Sequence, residues 1–430
     1  MASNQLKAGF GKGEIRFSQD IFPLEGLIGV HDDPCARLMV LASGEVKIAI
    51  AALEMVNVPP RGIELCQAII EEKTGAPRER IWVHVTHPVS TMHEPGPMGP
   101  PDRRPPETEA DRAKKRLYYQ AIEQAITEAA QQAADSFGEA KIGWGTGRCE
   151  VNRNRDVETP FGWWVGLNPD GISNKSMTIL RAEGLNGDLK GIWISYGLKP
   201  CALDMAGMKN HDRQVSSDVS GACCRLVEEY FGVPAVFCCS AAGDQMPREQ
   251  AFVEAVMADG IVAPQDDGVA KGLEIVRRLG AEMGRDAIAI AQNIQCMDAE
   301  AAIAHRKLSF QWAARDGRPR GRRGPAAPAK EYIADGEMTV EAEIFTLGNT
   351  AFVAEKPEVN CQTELELKAQ SPFEHTCLIC MVNGGMKYMP DRLAYERNTF
   401  EAQSSMLLPG AAEHFVETVA AALKDLHGEL

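Results

Sequence analysis

Short apolar runs recur along the chain, and amphipathic stretches at helical spacing separate many of them. "ARLMVLA" and "VKIAIAALE" read as paired strands with Ser43-Gly44 in the turn between them. "RGIELCQAIIEEKTG" has apolar positions three and four apart and stops at a glycine, which predicts a helix. "RIWVHVTH" predicts a strand that Pro88 ends. A proline-rich loop to about Pro106 leads into the long amphipathic stretch "ETEADRAKKRLYYQAIEQAITEAAQQAADSF". "KGIWISYGL" predicts a strand, "DVSGACCRLVEEYFG" a helix, "PAVFCCSAAGD" a strand running into a loop, and Leu273 to Gln292 a further helix. After a basic Gly/Pro-rich stretch, alternation returns in "EMTVEAEIFTLGNTAFVAEKP". A helix from about Glu358, the strand "TCLICMVNGG" and the helix "AAEHFVETVAAALKDL" complete the series. There is no internal repeat.

This order predicts an α/β fold: mixed parallel and antiparallel sheets with flanking helices, the two hairpins supplying the antiparallel part. The 430 residues, 44% of them hydrophobic, suit one large domain over 1–430 or two intimate lobes. The segment at about 315–330, "RDGRPRGRRGPAAPAK", is expected to be a mobile surface loop. A formal net charge of -15 argues against nucleic acid or an anionic membrane as partner and does not define the substrate, which is expected to be a small molecule. The N-terminal "MASNQLKAGFGKGEIRF" lacks the apolar run of a secretion signal, and no run of about eighteen apolar residues would span a membrane. Twelve cysteines without such a signal read as reduced thiols of a cytoplasmic protein. Cys377 and Cys380 have C-x-x-C spacing, but residues three apart on a strand face opposite ways, so a shared metal is not expected there. Homo-oligomerisation is left open.

"VHVTHPVSTMHEPGP" holds three of the nine histidines: His84, His87 and His93. On a strand, His84 and His87 point to opposite faces and cannot chelate one ion. His84 reads as a hydrogen-bonded scaffold residue. His87 lies at a strand end, where α/β proteins collect ligands. His93 lies on a loop that can fold back over it.

The same segment resembles the A-T-H-T-H-S-G-P-G element of the neutral/alkaline, non-lysosomal ceramidase family. Other segments resemble that family in the same order: "GFGKGEIRF", "GVHDDPCARLMVLASGEVKIAIAALEMV", "VNRNRD", "QVSSDVSGACCRLVEEYFGVPAVFCCSAAGDQMPR", "TLGNTAFVAEKPEV" and "MVNGGMKYMPD". The resemblance implies a ceramidase-like catalytic domain and a divalent metal, zinc, held by His87, Glu358 and Tyr388. Two departures bear on that metal. Val89 stands where the motif has its second histidine, and Lys199, in "KPCA", where the family has a histidine ligand. His211 and Cys201 are the residues able to fill the vacancy. Met246 replaces the serine that ceramide-cleaving members carry, while Gly243, Asp244 and Pro247 remain. The family's C-terminal immunoglobulin-like domain has no counterpart in the match, so ceramide is not the expected substrate.

Asp218 corresponds to an aspartate of the family; it either orients a ligand or caps the helix that follows. Arg153 and Arg155 are candidates to hold a carbonyl or carboxylate. Trp163 and Trp164, read as part of a loop, offer stacking faces for a polar ring. Three readings follow. The first is a metal-dependent hydrolase acting on an amide or related C–N or C–O bond, with Arg155 or Tyr388 at the oxyanion and His211 or His93 moving the proton. The second is a lyase or isomerase in which Lys199, its pKa depressed, is a base or Schiff-base residue, with Glu358 as acid/base partner. The third is a binding scaffold without catalysis.

Overall fold

The computed structural model describes residues 5–97, 103–256, 262–315 and 332–429. The expected mobile loop at about 315–330 lies outside the described residues, Arg315 apart. Eight strands form one sheet in the order Ala235–Cys239, Leu189–Tyr196, Ser176–Gly184, Gly138–Arg148, Lys7–Glu14, Cys35–Ser43, Val46–Leu53 and Ile81–Val85. Its two outermost pairs are parallel and the pairs between them antiparallel. A second sheet runs Ile303–Arg315, Ala334–Leu347, Thr350–Glu355 and His375–Ile379, with its last pair parallel. Both expected hairpins are present. Ser43 pairs with Val46 and Leu347 with Thr350, each across a glycine in the left-handed region, Gly44 (φ 56°) and Gly348 (φ 54°).

The sheets face each other across an aromatic core. Trp82 stacks on Phe345 at 4.1 Å and Trp193 meets Phe352 edge-on at 5.1 Å. Helices Pro60–Thr74 and Glu109–Asp135 cover one part of the large sheet's outer face, and helices Asp218–Phe231 and Gly268–Gln292 another. Helices Cys361–Gln370 and Ala411–Glu429 cover the outer face of the second sheet. The "GFGKG" run explains one close approach. Side chains at Gly9, Gly11 and Gly13 would run into the carbonyl oxygens of Ala133, Ala129 and Ala125, so a helix rests directly on strand backbone. That helix starts in a capping box: Thr108 Oγ1 accepts from Asp111 N–H and Asp111 accepts from Thr108 N–H.

Three expectations change. The helix expected from about Glu358 starts at Cys361; Glu358–Val359 instead pairs in parallel with Tyr388–Met389. Trp163 and Trp164 lie on a strand, Gly162–Asn168, hairpinned with Asn152–Thr159, not in a loop. Gly138–Arg148 and Ser176–Gly184 are strands of the large sheet that the hydrophobic pattern did not single out. All twelve cysteines are free and buried. Among the described residues, no helix is long and apolar enough to cross a membrane.

Candidate functional site

The chain leaves three strands at the same end of the molecule: Ile81–Val85 toward His87, Leu189–Tyr196 toward Lys199 and Thr350–Glu355 toward Glu358. His84 holds the two sheets together there. Its Nδ1 lies 2.6 Å from the Cys380 carbonyl oxygen, and its Nε2 accepts from the Cys239 N–H at 3.0 Å. Donating from one nitrogen and accepting at the other requires the neutral ring. Burial lowers its pKa to about 4, against the pull of the Cys380 carbonyl. The scaffold reading of His84 agrees with this geometry.

Lys199 is the centre of the candidate site. Its side chain is 4% exposed, and its ammonium donates to Glu358 Oε2 at 2.6 Å and to Tyr388 Oη at 2.8 Å. Burial alone would lower its pKa, but Glu358 and Tyr388 outweigh that and hold it above the ordinary lysine value. Burial likewise opposes ionisation of Glu358, yet Lys199, His87 and Arg155 keep its carboxyl below the usual range. Both shifts describe a charged pair. The depressed lysine pKa expected for a Schiff-base or general-base residue is therefore not what these surroundings produce.

His87 has a left-handed backbone (φ 65°) and a side chain 19% exposed. Its Nδ1 is bonded to the Val56 carbonyl oxygen, which can only accept, so Nδ1 carries the proton. Burial lowers its pKa, reinforced by Lys199 and opposed by Glu358. The neutral ring thus presents an Nε2 lone pair 3.5 Å from Glu358 Oε1.

Arg155 is buried beneath this group. Its Nε donates to Glu401 Oε1 at 2.6 Å, and its guanidinium lies 5.5 Å from the Tyr388 ring and 5.1 Å from the Phe400 ring. Glu401, in the short helix Phe400–Ser404, has no motif around it and escaped the sequence reading. Asp244 acts on backbone. Its carboxylate accepts from Cys361 N–H at 2.9 Å, capping the helix behind Glu358, and from Asn154 at 3.0 Å; burial raises its pKa to about 7. Asp218, left-handed at φ 54°, accepts from the N–H groups of Ala202 at 3.2 Å, Leu203 at 3.0 Å and Val219 at 2.7 Å. Burial raises its pKa to about 6 against those three bonds. It ties the first residue of its helix to the turn after Lys199; the N-cap itself is Ser217, which makes no side-chain cap bond.

The other expected residues lie elsewhere. His93 is half exposed and bound to Glu25 at 3.1 Å, with an electrostatic effect on His87. His211 is exposed at the end of the turn after Lys199 and has no bond to Lys199, Glu358 or Tyr388. Arg153, two residues from Arg155, lines a separate cleft. Trp164 is 4% exposed, and Trp163 lies under Arg397 at 4.1 Å, so the first is buried and the second already has a partner on one face. Val89 and Met246, at the substituted motif positions, join Val165, Cys201, Leu167 and Phe400 in one apolar cluster.

The zinc expectation meets this geometry in one respect and fails in another. A separation of 3.5 Å between His87 Nε2 and Glu358 Oε1 is about that of two ligands on one tetrahedral ion. Glu358 and Tyr388, however, are both bonded to the Lys199 ammonium, which repels a divalent cation. Among the described residues, no group of three or more His, Cys, Asp and Glu side chains is arranged to hold a metal. The residues as placed do not fit a divalent ion.

Neither a family model nor a curated protein matches the chain. Solved structures do. A ceramidase complexed with C2 is 14% identical over 99% of this chain and 76% of its own, with a TM-score of 0.71. The neutral ceramidase of Pseudomonas aeruginosa is 15% identical over 98% and 75%, with a TM-score of 0.70. The chain has a ceramidase-like α/β fold.

Proposed function

We propose that this chain is a hydrolase acting on an amide, or a related acyl C–N or C–O bond, of a small polar substrate, and that Lys199 supplies as an ammonium the positive charge a metal would otherwise bring. The carrying observation is the disposition of Lys199. An ammonium has three N–H donors. Two are taken by Glu358 and Tyr388, which leaves one for a substrate oxygen.

The steps use this chain's own groups. A water at the His87 Nε2 lone pair attacks the scissile carbonyl carbon and gives its proton to that nitrogen. The new C–O bond forms as the carbonyl oxygen becomes an oxyanion. The free N–H of Lys199 stabilises that charge in a site where little water competes. Collapse breaks the C–N bond, and His87 returns the proton to the leaving amine. Glu358 fixes Lys199 and stabilises the transient imidazolium. Arg155, fixed by Glu401, holds Tyr388 from below. The ceramidase-like fold supports the hydrolase assignment, and the apolar cluster replacing a histidine and a serine supports a metal-free, serine-free route.

The test is release of amine from a panel of N-acyl amino acids and small N-acyl amines, with and without exhaustive EDTA treatment. Expected are turnover that survives chelation and a loss of about 10²–10³-fold in kcat for Lys199→Met. Turnover abolished by EDTA and restored by zinc would overturn the metal-free mechanism. Saturable binding of these compounds without turnover would overturn the assignment as an enzyme.

A further inference from the structure

Arg153 and Arg155 sit two residues apart on one strand, yet they serve different places. Arg155 is buried against Glu401. Arg153 lines a cleft of about 610 Å³, together with Arg148, Glu150, Ser173, Lys175 and Ser176. That volume is within the range of small-molecule sites. Lys199, Glu358 and Tyr388 are not among its walls.

The charges in this cleft do not balance. Arg148 is paired with Glu150 at 2.5 Å. Lys175 donates to three neutral oxygens: the Asn152 carbonyl at 2.5 Å, Asn152 Oδ1 at 2.8 Å and Ser173 Oγ at 3.0 Å. Arg153 is half-buried and has no ion-pair partner among the described residues. Two cations therefore share a partly enclosed volume without an ion pair to either among the described residues, and the one carboxylate of the lining, Glu150, is paired with Arg148 and acts on Lys175 more weakly than Arg153 does. They repel each other enough that Arg153 lowers the pKa of Lys175, after the larger effect of burial. In a chain of net charge -15, such a concentration of positive charge is not a general property of the surface. A half-buried guanidinium keeps its charge at every accessible pH, so proton loss cannot relieve the imbalance. An anion can.

We propose that this cleft is a second binding site, separate from the Lys199 centre, that takes the carboxylate or phosphate group of a small molecule on the Arg153 guanidinium, with Lys175, its three N–H donors already used, contributing its charge. Arg153 supplies the planar two-donor fork that either oxyanion accepts. Ser173 and Ser176 are the hydroxyl-bearing walls. The site does not depend on the hydrolytic reading above.

The test uses the full chain in titrations with inorganic phosphate and with succinate, at ionic strength held constant with potassium chloride. Saturable binding by calorimetry and a matching rise in Tm are expected for at least one of the two. The preferred anion identifies the natural head group as phosphate or carboxylate. Arg153→Ala should weaken that binding by about 10–100-fold, the range for losing a hydrogen bond to a charged group. Glu150→Gln, which removes the competing carboxylate, should strengthen it. Lys199→Met should leave it unchanged. No saturable binding of either anion to the wild type would overturn the proposal, as would equal affinity in Arg153→Ala. Loss of binding in Lys199→Met would show that the anion sits in the hydrolytic site instead.

Discussion

Replacing Lys199 by methionine removes a charge and keeps most of the volume. The pair it breaks is nearly enclosed, with side chains 4% and 8% exposed and 2.6 Å between Lys199 Nζ and Glu358 Oε2. Desolvation makes such a pair a weak net contributor when both partners are removed, but costly when one is left alone. Glu358 would remain as a buried carboxylate facing the lone pair of His87 at 3.5 Å. The expected cost is about 3–5 kcal/mol. With an unfolding entropy of about 2.1 cal/mol/K per residue, 430 residues convert this to a Tm lower by about 3–6 °C. Glu358→Gln should cost a similar amount, since it strands the ammonium. The double variant should recover most of the loss, with a coupling of at least about 2 kcal/mol in the cycle. Thermal melts of the four proteins at pH 7 measure it. Strict additivity would refute the charged-pair description, and with it the proposal that the Lys199 ammonium takes the place of a metal.

Lys199→His puts a neutral donor beside Glu358 and Tyr388; it should retain about one equivalent of zinc after dialysis, where the wild type retains none. Zinc bound equally by both proteins would show that the ammonium does not exclude cations. His84 has a folded pKa of about 4, below its value of about 6.5 in the unfolded chain. Its contribution is complete above about pH 6.5 and is lost as pH falls toward 4, with one proton taken up on unfolding, for about 3 kcal/mol in all. His84→Gln, which can still donate and accept, should flatten that part of the stability–pH profile in urea melts; an unchanged slope would assign the proton elsewhere. Asp218→Asn puts an amide N–H against backbone donors near Lys199. It should cost about 1–3 kcal/mol and lower kcat more than it raises KM; full activity would remove Asp218 from the positioning of Lys199. Gly11→Val should cost about 1–3 kcal/mol or more, because its side chain meets the Ala129 carbonyl; a neutral result would mean that the helix can lift from the strand.

Much of the frame was legible because it is local. The hairpin across Ser43-Gly44, the strand Ile81–Val85, which ends three residues before Pro88, and the helix ending at Gly75 are written in neighbouring residues. His84 lies on the strand and turns inward to Cys380 and Cys239, whereas His87 lies past the strand's end at Val85, and its left-handed backbone rather than strand alternation directs it toward Glu358. What escaped depends on pairs distant in sequence. Glu358 is fixed beside Tyr388 by a two-residue parallel bridge, too short for any periodicity to register. Lys199 meets Glu358 across 159 positions, and Arg155 meets Glu401 across 246. Trp163-Trp164 followed a glycine and read as a loop, but the run alternates on a hairpin strand whose partner is "NRNRDVET". The charge state of Lys199 is hidden for the same reason: its burial is legible in the sequence, but the carboxylate that becomes its counter-ion lies far along the chain.

The histidine clamp also says something about how the molecule is made. His84 and Cys380 are 296 residues apart. Trp82 and Trp193, on the inner face of the first sheet, meet Phe345 and Phe352 on strands from the last third of the chain, and Phe10 lies in the same cluster. During synthesis, that face stays uncovered until Phe345 and Phe352 emerge. Closing such distant contacts is slow, and an exposed apolar sheet is prone to association while it waits. The nascent chain is therefore at greatest risk of aggregation late in translation, after most of its secondary structure can form.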